Sequence, residues 1–149
     1  MQQDNATRVQ QILNNCNFVS DDQPYAVIRL PARAITAAAG VVAEIGEPFL
    51  ALLADTDEVT LVIPNDALAD FERRLQGYEA MVDHYRLITC DTVLPPDLIG
   101  FMARISAILA EASVTILPFA AYSRDHLLVP ESQFDQAMKA LQSLKRTGE

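Results

Sequence analysis

Residues 97–130 read DLIGFMARISAILAEASVTILPFAAYSRDHLLVP, and the change of period within them decides the fold. Ile99, Met102, Ile105, Leu109 and Ala112 recur at helical spacing, which predicts a helix over 98–112 with Asp97 as its cap. Two apolar runs follow, 114–122 and 126–129, joined across Ser123, Arg124 and Asp125 and closed by Pro130. That spacing predicts an antiparallel hairpin. Downstream, residues 131–144 place Phe134, Met138 and Leu141 on one face of a second helix. Upstream, residues 85–94 (YRLITCDTVL) alternate in part and stop at Pro95 and Pro96, as a strand would. The order is β-α-β-β-α.

The first half spells the same order. YAVIRL at 25–30 has strand composition and ends at Pro31, and the alanine-rich run 34–45 reads as a helix stopped by Gly46. Residues 49–54 (FLALLA) and 58–63 (EVTLVI) suit a hairpin turning at Asp55, Thr56 and Asp57, again closed by a proline, Pro64. A helix then follows, capped by Asn65 or Asp66, with Leu68, Phe71 and Leu75 on one side. An element order repeated at roughly 60 to 66 residues points to two copies of one unit. The unit is the split βαβ, ferredoxin-like pattern, so the expected class is α+β: two tandem βαββαβ modules, antiparallel sheets with helices on one face. The expected division is an N-terminal helix and extension over 1–24, a divergent first module over 25–80 and a second module over 81–149, with Val9, Ile12 and Leu13 marking the N-terminal helix.

Composition narrows the function. With 20 acidic against 11 basic residues the formal charge is −9, which repels polyphosphate chains and anionic membranes, so neither nucleic acid nor membrane is an expected partner. The polar opening MQQDNATRVQQ is no secretory signal or anchor, and the expected location is the cytoplasm with Cys16 and Cys90 reduced. Those cysteines form no CxxC, and His84 and His126 stand alone, so no metal or cofactor is expected. There is no GxSxG, GxGxxG or GKS/GKT. Asp125 and His126 are adjacent, but neighbours in a strand face opposite ways, which argues against an acid–base dyad and leaves catalysis as a minor alternative. Gly100 admits two readings: a helix opening where a carboxylate meets backbone N–H groups, or a site of close helix–sheet packing.

Taken together, residues 85–144 resemble the ACT-domain family, in particular the tandem branch of uncharacterised bacterial ACT proteins and eukaryotic cytosolic arginine sensors. The resemblance rests on the aspartate before the helix, the glycine opening it, LAEA with its β-branched strand, and the hairpin leading to LLVP. EPFLALLADTDEVTLVIP at 47–64 is similar to the first-module hairpin of that branch, with Glu58, Thr60 and Val62 in its pattern. The resemblance implies a non-catalytic regulatory protein that binds a small molecule of the amino-acid class through Gly100, Ala121, Tyr122 and Asp125 together with Thr60 and Leu61. It also implies a homodimer and a separate regulated protein. Two departures stand out: Ala120 and Ala121 replace a Ser-Thr pair common in the family, and Arg124 fills a position often small and polar. The alternative is a structural or protein-interaction dimer with a vestigial pocket.

Overall fold

A computed structural model describes residues 4–146. Met1–Gln3 of the opening segment and the final residues 147–149, Gly148 among them, lie outside the described residues.

The chain divides into two compact units, residues 23–85 and residues 1–22 with 86–149. The first has strands β2 (Pro24–Pro31), β3 (Ala51–Ala54), β4 (Glu58–Pro64) and β5 (Glu79–Ala80), and helices α2 (Ile35–Ile45) and α3 (Asn65–Phe71). Its strands lie in the order β3-β4-β2-β5, all antiparallel. Ala26, Ile28 and Leu30 of β2 and Val59, Leu61 and Ile63 of β4 meet Ala38 and Val41 of α2 in one core, so alternate strand positions face the helices. Gly46, at φ 76, ends α2 with its N–H donating to the Val42 carbonyl, the glycine stop read from the sequence. Neither Asn65 nor Asp66 caps α3, whose N-cap is Pro64. β5, two residues long, falls inside the weak stretch after Gly77 and supplies the fourth strand of the βαββαβ unit.

The other unit is discontinuous in sequence. It holds β6 (Tyr85–Cys90, from its second residue), α4 (Phe101–Glu111), β7 (Leu117–Ala120), β8 (Asp125–Pro130) and α5 (Phe134–Gln142), joined by α1 (Asn5–Asn15) and β1 (Phe18–Val19) from the N-terminal end. The order is β1-β6-β8-β7, and β1 pairs with β6 through Phe18 with Cys90 and Val19 with Thr89. Residues read from sequence as an extension therefore supply this unit's fourth strand, and Val9, Leu13, Cys16 and Phe18 join Ile88, Ile105, Leu109 and Leu141 in its core. Cys16 and Cys90 are bonded, with Cα atoms 6.0 Å apart, so the expected reduced thiols are corrected to a disulfide. Asp97 does not cap α4. The helix starts three residues later than read, with Gly100 as N-cap, because Gly100 takes a left-handed turn at φ 85. Each unit is thus an α+β, ferredoxin-like layer of helices on an antiparallel sheet.

Candidate functional site

Between β6 and α4 the chain runs as a loop over residues 91–100. The loop is pinned on two sides. Toward the β7–β8 turn, the Leu94 N–H donates to the Ser123 carbonyl at 2.8 Å and Arg124 forms an ion pair with Asp91 at 3.3 Å. Toward α1, Arg8 grips Asp97 through two bonds of 3.0 and 3.2 Å, holding that carboxyl below its ordinary range by hydrogen bonding first and charge second. Asn5 meanwhile pairs with both backbone groups of Ile99.

An open cleft of about 450 Å³ lies between this loop and the turn. Gly100, Ala121, Tyr122 and Asp125 all line it, beside Phe101 and Arg124. Thr60 and Leu61 lie in β4 of the other unit, outside this cleft, and Leu61 is fully buried there. A Cβ at Gly100 would meet nothing within 4 Å, so close packing does not demand the glycine; the positive φ does. The first turn of α4 borders the cleft, where a helix leaves backbone N–H groups without intrahelical acceptors.

The Asp125 carboxylate is half-buried, with no hydrogen bond or salt bridge among the described residues, and burial pushes its pKa up against the opposing influence of His126. His126 lies on the other face of β8, its Nδ1 2.8 Å from Thr89 Oγ1, and burial pushes its pKa down. The two side chains serve opposite faces, as strand alternation requires. Sequence reasoning missed Asn5, Arg8, Asp91 and Leu94 as parts of this site. Pro95 and Pro96, which stiffen the loop, and Gly100, which opens the helix after it, signalled the site locally.

The other unit has a cleft of about 420 Å³ beside its own hairpin turn, lined by Arg29, Arg33, Asp57 and Glu79. There Arg29 is already engaged by Glu58 at 2.5 Å and by Glu79 at 3.8 Å. Among the described residues no group of His, Cys, Asp and Glu is placed to hold a metal, and no helix is long and apolar enough to cross a membrane.

The fold is similar to several solved structures. A Vibrio cholerae protein of unknown function, described as a possible transport protein, aligns over 96% of this chain and 100% of its own at 18% identity and a TM-score of 0.73. An Agrobacterium tumefaciens protein aligns over 82% and 83% at 18% identity and a TM-score of 0.65. The regulatory subunit of aspartate kinase from Thermus flavus aligns over 85% and 95% at 13% identity and a TM-score of 0.65. No curated protein sequence matches. Residues 81–143 match the model of the ACT domain family, and the chain has the ferredoxin-like fold that the repeated element order predicts, of the ACT-like kind that the resemblance implies.

Proposed function

We propose that the chain is a non-catalytic regulatory protein that binds an amino acid in the cleft beside Gly100. The observation that carries the reading is Asp125: a half-buried carboxylate, without a salt bridge among the described residues, in the same cleft as the first turn of α4. An amino acid is a cation and an anion a few ångströms apart, and this cleft offers a partner for each. Asp125 takes the ammonium group through a charge-assisted bond. The backbone N–H groups at the start of α4, at the positive end of the helix dipole, take the carboxylate. Ala121 and Tyr122 form the facing wall, and the left-handed turn at Gly100 aims the helix start at the ligand. Leu61, fully buried, is left without a side-chain role, and Thr60 with none in this cleft.

The ACT match over 81–143 and the likeness to a regulatory subunit of aspartate kinase support a regulatory role exerted on a separate protein. A second reading, a structural dimer with a vestigial pocket, is favoured by Ala120 and Ala121, which bring no hydroxyl to the wall. A thermal-shift screen against the twenty amino acids separates the two. A ligand at 100 times its dissociation constant adds about 2.7 kcal/mol to the native state. A shift with one amino acid or a few that resemble each other supports binding; no shift with any at millimolar concentration leaves the structural reading.

A further inference from the structure

The geometry points to a second ligand site, separate from the amino-acid cleft: we propose that the groove between α1 and α4 binds a monocarboxylic acid with a small apolar body and no ammonium group. The groove measures about 330 Å³, near the lower end of the range that takes a small molecule. Ala6 and Val9 of α1 form one wall and Ala103 and Ala107 of α4 the other, and the short alanine side chains leave the space between the helices unfilled. Ile99, a large apolar side chain 73% exposed, stands at its edge. An apolar body lying there removes these surfaces from water.

Charge selects the head group. Arg104 lines the groove half-buried, and its Nη2 donates to Gln10 Oε1 at 2.9 Å, its one side-chain bond among the described residues. Gln10 is itself held, its Nε2 donating to Asn14 Oδ1 and to the Leu144 carbonyl, which fixes its oxygen toward Arg104. Arg8 and Arg86, half-buried as well, each meet a carboxylate, Asp97 and Asp22. Arg104 has a neutral oxygen instead. A guanidinium carries five N–H donors in a planar fork that fits a carboxylate through two bonds. Partial burial of its charge favours a ligand that brings the missing counter-charge.

None of the residues lining the groove is acidic, and the Asn5 carboxamide is committed to the backbone of Ile99. No carboxylate is there to take an ammonium, so an amino acid is better served by the cleft that holds Asp125. One guanidinium balances one negative charge, whereas a dianionic phosphate would add net charge to a chain already at −9. The groove and the cleft share Gly100 and Ala103, but Arg104 and Ala107 line the groove and not the cleft. Substitution can therefore separate the two sites.

Hexanoate is the probe, titrated into the intact protein by isothermal calorimetry, and it should bind. Hexanol, the same body without the charge, should bind on the order of 10–100-fold more weakly, the range for hydrogen bonds to a charged group. Arg104→Gln keeps a polar side chain without the cation and should weaken hexanoate by a similar factor. Ala107→Leu fills the groove and should abolish the binding. A parent protein that takes up no hexanoate at millimolar concentration overturns the proposal, as does hexanol binding as tightly as the acid. Binding at parental affinity by either variant, once circular dichroism shows it folded, overturns it too, because the acid then sits elsewhere. If one variant fails to fold, the other decides.

Discussion

The carboxamide of Asn5 reads both backbone groups of Ile99: Nδ2 donates to the Ile99 carbonyl at 2.5 Å, and Oδ1 accepts from the Ile99 N–H at 3.1 Å. A side chain near the start of the chain thereby takes the place of a neighbouring strand for a loop residue in the middle of it. Arg8, one turn along α1, holds Asp97 in the same loop. Helix α1 is therefore the outer support of the cleft.

Asn5→Ala removes both bonds to Ile99. At about 1 kcal/mol net per hydrogen bond, the loss should be about 1–2 kcal/mol in urea unfolding. Arg8→Ala should cost less than Asn5→Ala, because Asp97 is mostly solvent-exposed and water screens the pair. Both variants should also weaken the amino-acid response if the loop sets the cleft. An Asn5→Ala protein as stable as the parent would show that α1 does not support the loop.

Leu13 is fully buried in the core of the unit that residues 1–22 complete. Leu13→Ala should destabilise the protein by about 2–5 kcal/mol, the range for a large-to-small change in a packed core. Were residues 1–22 a detachable extension, the cost would be close to zero. Chemical denaturation of the variant distinguishes the two.

Asp125 has a pKa raised by burial, so its contribution to stability is fully present below the ordinary carboxylate value and is lost as pH rises through the raised value. Ionised at neutral pH, it costs the ligand-free protein stability. Asp125→Asn should then melt higher than the parent at pH 7 and lose the amino-acid-induced shift. Ligand affinity in the parent should fall as acid protonates Asp125, in a range above the usual carboxylate value. A variant that melts lower and still binds would make Asp125 structural.

His126 has the opposite linkage. Burial holds its imidazole below the ordinary value of 6.5, so the unfolded chain takes the proton first, and the stability is present above 6.5 and declines as pH falls toward the folded value. The melting temperature of the parent should drop between pH 7.5 and 5.5. His126→Gln should flatten that dependence. An unchanged slope in the variant would assign the acid sensitivity elsewhere.

Much of this was legible in the residues. Alternation in YAVIRL and EVTLVI, the helical stripe Ile105, Leu109 and Ala112, and Pro64 and Pro130 closing each hairpin are local signals. They report a period and a stop without reference to distant chain. Gly100 was legible as a special position, although its reason, a left-handed φ with open space around it, came only with the backbone. The tertiary structure alone decided what the ends of the chain do. Phe18–Val19 is too short to show any period, and it becomes a strand by pairing with β6, through Phe18 with Cys90 and Val19 with Thr89. Asp97 looks like a helix cap to its own neighbours. Arg8, 89 positions away, draws it elsewhere. Such pairings depend on which surfaces the folded units leave open, and a linear pattern of apolar and polar residues carries no record of that.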